Sequence, residues 1–317
     1  MNTTVTQKGI YSIIVCAGFI VLINLSSCKS KSKTEKNNLQ VKTPNSDNLN
    51  SSTDNTLEKY KIAKINYYKN PNDPETLIWF GRRAAYLGNY NESIDIFTRG
   101  IERHPKDARM YRHRGHRYIS TRQFNSAIKD LETATSLIKN QMDQIEPDGL
   151  PNSKNIPLST LHGNIWYHLG LAYYLKNDMN NALRAFSNRT VTERYDDNLV
   201  SGSYWLYMIL SRQGNTEDAN AAISEIKIDM DIIENFSYHK MCLFYKNILS
   251  ESELAFNDLK LSSNNVFNYG LGNWYLYKKQ DTMKSKTYYR QLLDNGNPYS
   301  FAYIAAEADW QRLFRNH

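Results

Sequence analysis

The fold is decided by residues 164–186, which read NIWYHLGLAYYLKNDMNNALRAF. Trp166, Leu169 and Tyr173 follow one another at intervals of three and four residues, so that they share one face of a helix. Gly170 has no side chain, which lets a second helix approach the backbone of the first closely. The stretch therefore predicts two helices packed against each other.

The second helix supplies the matching residues. Ala182 is the small residue predicted to face Gly170, and Phe186 follows one turn later to close the core of the pair. Trp-x-x-Leu-Gly-x-x-Tyr followed by Ala-x-x-x-Phe resembles the tetratricopeptide repeat, a two-helix unit of about 34 residues. This resemblance implies that further units flank the stretch.

A 34-residue frame fits about 260 residues of the chain. Its units are residues 74–107, 108–141, 163–196, 200–233 and 265–298, with an insert at 142–162. Residues 57–69 are predicted to form a helix that begins the array, residues 234–264 a degenerate helical pair, and residues 299–315 the capping helix that a solenoid needs. We therefore expect residues 57–317 to form one repeat domain.

The predicted fold class is all-α. The resemblance implies a right-handed superhelical solenoid of helix-turn-helix units with terminal capping helices. It also implies a concave groove, lined by the first helices of the units, that binds a partner protein or peptide.

The N-terminus resembles the signal segment of bacterial lipoproteins. Residues 10–25 are apolar, which is short for a membrane span of about 20 residues. They end in Leu25-Ser26-Ser27-Cys28, which is similar to a lipobox, the site of cleavage and acylation. We expect residues 1–27 to be removed and Cys28 to carry the lipid that anchors the chain in the cell envelope, with its soluble part in the periplasm or at the cell surface. The alternative is an uncleaved signal anchor.

Residues 29–56 are rich in Ser, Asn, Lys and Thr and poor in large apolar residues. Such a composition cannot bury enough surface to offset the entropy of ordering, so a disordered tether is predicted. The tether is either a solvated spacer or a segment weakly attracted to anionic headgroups.

Charge is concentrated in the first two units. Residues 74–141 carry a net charge of +5, whereas residues 142–317 carry −3. The net charge of the whole chain, +7 over 317 residues, is too diffuse to indicate nucleic-acid binding. A partner that contacts the basic half is instead expected to be acidic.

The repeat frame places several polar and aromatic side chains on the concave side of the first three units. They are Arg82, Tyr86, Arg112, His116, Asn164 and Tyr167. One hypothesis is a subsite for a carboxylate, to which arginine presents a planar fork and His116 adds charge below about pH 6.5. The other hypothesis is an internal ion network, closed by Glu146 and Asp148 of the insert.

Arg114 occupies a position where leucine normally packs between helices. A buried cation requires a partner, because an unpaired charge is prohibitively costly to desolvate. The candidates are Asp95, Asp130 and Glu132.

The sequence shows little other chemistry. His113-x-x-His116 has metal-compatible spacing but no cysteine or carboxylate beside it, so no metal and no cofactor are predicted. Two alternatives to a binding scaffold remain open. One is an enzyme with a site between residues 112–117 and the insert, and the other is a structural subunit, for which a large exposed apolar patch is expected.

The lipobox yields a testable prediction. Cys28→Ala removes the thiol that is acylated before cleavage, so the variant is expected to keep its signal segment and to migrate as a larger precursor. Immunoblotting of fractionated cells measures this. A variant that fractionates and migrates like the wild-type chain contradicts the lipoprotein interpretation.

Overall fold

Helices account for most of the chain that the computed structural model describes, which is residues 46–190, 195–254 and 261–315. These ranges contain no β-strand, and a single antiparallel bridge joins Ile145 to Thr160. None of the helices in them is both long enough and apolar enough to cross a lipid bilayer. The predicted signal segment 1–27, Cys28 and the tether up to residue 45 lie outside the described residues.

The α-helices follow one another along the chain. They are α1 (Ser46–Lys69), α2 (Pro74–Tyr86), α3 (Tyr90–Arg103), α4 (Ala108–Ser120), α5 (Phe124–Leu137), α6 (Leu161–Leu175), α7 (Met179–Thr190), α8 (Asp196–Arg212), α9 (Thr216–Ala221), α10 (Phe236–Tyr245), α11 (Leu261–Tyr277), α12 (Thr282–Asn295) and α13 (Phe301–Leu313). Their connections are short except between α5 and α6, between α9 and α10, and between α10 and α11. A 3-10 helix, Glu251–Leu254, lies between α10 and α11.

The packing order is that of a solenoid. From α1 to α9 each helix packs on the next, and the first helices of successive pairs also contact each other, α2 with α4 and α4 with α6. The predicted fold class, an all-α solenoid of tetratricopeptide-like helix pairs, is therefore confirmed.

A glycine of the first helix lies against a large side chain of the second in each of the first three pairs. The contacts are Gly81 with Phe97, Gly115 with Leu131 and Gly170 with Phe186, and a Cβ atom added to these glycines would approach the partner to 2.5, 2.8 and 2.6 Å. The partner follows its glycine by sixteen residues every time. The surface closest to Gly170 is therefore the Phe186 ring rather than Ala182, which is itself fully buried.

Helix α1 is longer than predicted. It begins at Ser46, so residues 46–56 of the predicted tether are helical. Ala63 and Tyr67 are buried in one core cluster with side chains of α2 and α3, which holds the second half of α1 in place. Once a helix is nucleated, each further residue adds a hydrogen bond, so the helix extends beyond its buried part.

The fourth unit departs from the two-helix pattern. Its second helix, α9, has only six residues, and the chain then runs irregularly to residue 235. Ile226 and Ile232 of this irregular segment are buried in the main core. The next predicted pair, residues 234–264, contains α10 and the 3-10 helix, and residues 255–260 of its predicted second helix lie outside the described residues.

The C-terminal helix reaches back into the array. Helix α13 packs on α11 and α12 and also contacts α6, the first helix of the third unit. Asp309 of α13 is buried and accepts hydrogen bonds from Tyr269, 2.9 Å away, and from Arg212 and Arg312. Arg122 of the second unit forms an ion pair with Glu307 at 2.8 Å. The cap therefore closes the array onto its own concave side.

The glycine contact yields a prediction for the third unit. In a helix interior alanine is favoured over glycine by about 1 kcal/mol. Gly170→Ala is nevertheless expected to lower the free energy of unfolding by about 1–3 kcal/mol, because its methyl group overlaps the Phe186 ring. Chemical denaturation measures the change.

The double variant Gly170→Ala with Phe186→Leu provides the matched control. It places leucine where the second unit has Leu131, so its loss of stability is expected to be smaller than the sum of the two single losses. A stability gain in Gly170→Ala contradicts the assigned packing.

Candidate functional site

A cavity of about 420 Å³ lies on the concave side of the first three units. Each of the helices α2, α4 and α6 contributes two of the predicted residues to its wall. These are Arg82 and Tyr86, Arg112 and His116, and Asn164 and Tyr167. The structure thus brings all six together, while their role in binding a ligand stays a prediction.

The insert covers one side of the cavity. The Arg82 guanidinium donates from Nη2 to the carbonyl oxygen of Pro147 at 2.7 Å, and Arg83 donates from Nη1 to the carbonyl oxygen of Gly149 at 2.8 Å. Gly149 packs on Tyr86 so closely that an added Cβ would lie 1.8 Å from the hydroxyl oxygen. A side chain at this position would displace the Tyr86 ring, and the backbone of the insert is held by the arginines of α2.

Arg112 is paired with a carboxylate of the insert. Its Nη2 atom lies 3.1 Å from Oε1 of Glu146, and Asn164 donates to the other oxygen of that carboxylate at 2.9 Å. Arg112 is only 8% exposed, and its buried Nε atom has no hydrogen-bond partner among the described residues. Arg112 therefore both forms an internal ion pair and lines the cavity.

The histidines of the site are uncharged at neutral pH. Burial, followed by the neighbouring Arg117 guanidinium, lowers the pKa of His116 well below its usual value of 6.5. Burial and Arg112 lower the pKa of His113 and of His168 in the same direction. The expectation that His116 adds positive charge below about pH 6.5 is therefore wrong, because the sequence did not show how deeply the ring is buried.

The rings beside His116 explain its burial. The His168 ring centroid lies 4.2 Å from that of His116, and Phe301 of α13 lies 5.2 Å away. His168 is fixed in turn by a hydrogen bond of 2.6 Å between its Nδ1 and the carbonyl oxygen of Asn164. Phe301 comes from the far end of the chain, so the cap helix completes the wall.

Arg117 adds positive charge behind this wall. Burial, together with the nearby Arg112, lowers the pKa of Arg117 to about 10, so the guanidinium remains charged at neutral pH. It lies over the Tyr90 ring at 5.4 Å. Among the described residues no carboxylate lies within ion-pair distance of it.

Carboxylates of the insert and of the loop before α10 also line the cavity. Burial raises the pKa of Asp148 in the insert and of Glu234 before α10. The Glu234 segment is held by Asp197, whose buried carboxylate accepts hydrogen bonds from the amides of Ile233, Glu234 and Asn235 at 2.7 to 2.8 Å. We call Arg82 and Arg112 the basic wall of the cavity and Asp148 with Glu234 its acidic side; Arg189 and Glu146 also line the cavity.

Arg114 finds its partner among the predicted candidates. Its Nε and Nη2 atoms each lie 2.7 Å from one oxygen of Asp130, a two-pronged ion pair between α4 and α5. Glu132 instead pairs with Arg184 and Tyr173, and Asp95 is exposed. Arg114 is thus a structural cation outside the cavity.

The described residues were also compared with the requirements of a metal site and of a reactive thiol. Across residues 46–190, 195–254 and 261–315 no group of three histidine, cysteine or acidic side chains is placed to hold a metal ion. Burial raises the pKa of the Cys242 thiol, which stays protonated inside the core.

Comparisons with known proteins match the fold alone. No protein-family model and no curated protein sequence matches the chain. Among solved structures, YrrB, described as a TPR protein with an unusual peptide-binding site, has a TM-score of 0.41 at 15% identity, covering 77% of this chain and 97% of YrrB. MamA has a TM-score of 0.43 at 14% identity, covering 65% and 99%.

A tetratricopeptide repeat protein from Parabacteroides merdae ATCC 43184 has a TM-score of 0.45 at 14% identity, covering 83% of this chain and 97% of that protein. The chain has a TPR-like fold. The candidate site is defined by contacts within this chain, between α2, α4, α6 and the insert.

Proposed function

We propose that this chain is a non-enzymatic scaffold of the bacterial cell envelope, lipid-anchored at Cys28, that binds a partner protein or peptide in the cavity. The observation that carries the proposal is the set of cationic and amide side chains on the cavity wall, of which Arg82, Arg112 and Asn164 are the centre. The anchor is supported by the lipobox-like sequence before Cys28.

The basic wall fits a carboxylate of the partner. Arg82 is bonded to a backbone carbonyl and to the Tyr86 hydroxyl, neither of which neutralises its charge. Arg112 already has the Glu146 carboxylate as its partner, so the charge of Arg82 is the one left to compensate on this wall. A carboxylate of the partner placed beside Arg82 would supply that charge.

The acidic side fits a hydrogen-bond donor or a cation of the same partner. Desolvation disfavours the charged forms of Asp148 and Glu234, as their raised pKa values show. A backbone amide, a lysine or an arginine placed between them would relieve this cost. The two sides together favour a peptide segment that carries an acidic group or a C-terminal carboxylate.

The size of the cavity limits how much of the partner enters it. At about 420 Å³ it lies within the range of small-ligand pockets, roughly 300–1,000 Å³. The insert and α13 cover the concave side around it, so a chain end or a single loop fits rather than a whole helix.

The alternative of an enzyme receives less support from the contacts. His113 lies 3.6 Å from Glu146, but that carboxylate is already bonded to Arg112 and Asn164. Among the serine and threonine hydroxyls of the cavity, that of Thr160 accepts from the Gly163 amide, and that of Ser201 contacts the Asn198 carbonyl oxygen and Arg189. A histidine that activates a hydroxyl nucleophile is therefore not assembled within the described residues.

A double variant tests the binding proposal. Arg112→Gln combined with Glu146→Gln removes the ion pair without leaving either charge buried alone, which would itself destabilise the fold. The partner is first isolated from membranes with the wild-type full chain, and its affinity is then measured for both proteins. We expect binding to the double variant to be at least about tenfold weaker, because the carboxylate of the partner loses one of the two guanidinium groups of the basic wall.

The matched control removes an equivalent ion pair outside the cavity, Arg114→Gln with Asp130→Asn. It is expected to bind the partner like the wild-type chain when both proteins are folded by circular dichroism. Unchanged affinity in the Arg112/Glu146 variant contradicts a ligand role for this wall, and recovery of no partner from membranes contradicts the scaffold proposal as a whole.

A further inference from the structure

Helix α1 exposes apolar side chains where a solenoid end is normally polar. Its buried face, with Ala63 and Tyr67, packs on α2. The opposite face presents Ile62, Ile65 and Tyr68 at helical spacing, 50%, 53% and 67% exposed. Terminal elements of repeat arrays usually carry a polar outer face for solubility, and this face departs from that pattern.

Lysines flank the apolar face. Lys59, Lys61, Lys64 and Lys69 lie in the same part of α1, and Glu58 is the only acidic side chain among residues 55–69. Lys61 lies 3.8 Å from Glu58, and residues 55–69 of α1 carry a net charge of +3. Apolar residues flanked by lysines are typical of helices that lie in the interface of an anionic bilayer.

A groove beside this face is likewise lined by apolar and basic side chains. It has a volume of about 260 Å³, lies between α1 and α2, and is lined by Ile62, Ala63 and Trp79 together with Lys59 and Arg83. Its one acidic side chain, Glu75, is already paired with Arg109. Tryptophan is enriched at the boundary between lipid and water, where its ring meets both.

Few residues separate α1 from the predicted acylation site. It begins at Ser46, eighteen residues after the predicted acylation site Cys28. In any conformation a segment of that length spans at most roughly 60 Å. A segment of that length permits α1 to reach the bilayer if Cys28 is acylated.

We propose that the outward face of α1, with the groove beside Trp79, docks on a bilayer surface of anionic phospholipids. Ile62, Ile65 and Tyr68 enter the interfacial region, and the flanking lysines contact the headgroup phosphates. This contact is separate from the cavity, and it would orient the array relative to the membrane.

Fluorescence quenching by lipid tests the docking. The full chain, isolated from membranes, carries a fluorophore at Ile65→Cys on α1 or at Met283→Cys, which is 75% exposed on α12. Each is added to vesicles of phosphatidylcholine alone, or of phosphatidylcholine with phosphatidylglycerol, that contain a nitroxide-labelled lipid. We expect quenching at position 65 in the anionic vesicles, little in the neutral ones, and little at position 283 in either.

Charge reversal identifies the contribution of the lysines. Lys61→Glu with Lys69→Glu is expected to reduce quenching at position 65 to the level of position 283, and added salt is expected to weaken it. The control, Lys106→Glu with Lys139→Glu, makes the same change in net charge on exposed lysines elsewhere and is expected to leave quenching intact.

Each other result overturns the proposal. Equal quenching at the two positions, or equal quenching in neutral vesicles, shows that the face does not recognise an anionic surface. Self-quenching at position 65 without lipid shows that a second copy of the chain covers it. A failure of acylation at Cys28 is seen separately as an uncleaved precursor and leaves the quenching test valid, because α1 itself makes the contact.

Discussion

The contact between a backbone glycine and a large side chain sixteen residues later fixes the geometry of each of the first three helix pairs. Gly81 meets Phe97, Gly115 meets Leu131 and Gly170 meets Phe186. Since no Cβ atom intervenes, the two helices of a pair approach closely, and the first helices of successive pairs are placed side by side. The last pair repeats the contact with Gly272 and Tyr289, one residue further along. The concave wall of the cavity is a consequence of this stacking.

The side chains that are costly to bury in the cavity also hold the insert in place. Burying Arg112 is favourable only because Glu146 and Asn164 complete a network around it, and that network also holds the insert in place. Arg82 and Arg83 hold the rest of the insert through backbone carbonyls, so their charges are not neutralised by the contact. The proposed ligand carboxylate would bind beside these guanidinium groups.

The repeated helix pairs were predictable from the sequence. Contacts between the cavity and residues far along the chain were not. Arg82 and His116 are 34 residues apart, so one frame placed both on the same wall. Glu234 and Phe301 reach the cavity from the later part of the chain, and nothing in their local spacing predicts this. The pKa of His116 depends on that distant packing, so the usual value of about 6.5 assumed from the sequence does not apply to it. The early end of α9 also reflects tertiary contacts, since the following residues are buried or bonded to Asp197.

Crosslinking from inside the cavity tests most directly whether a partner enters it. A photoreactive phenylalanine derivative replaces Tyr86, which lines the cavity, or Tyr299, which is 59% exposed outside it, and cells producing the full chain are irradiated. The account predicts one discrete crosslinked product from position 86 that is absent from position 299 and is lost when Arg112 and Glu146 are both replaced by glutamine. Crosslinks of equal yield from both positions, or none from position 86 in folded and membrane-associated protein, contradict it.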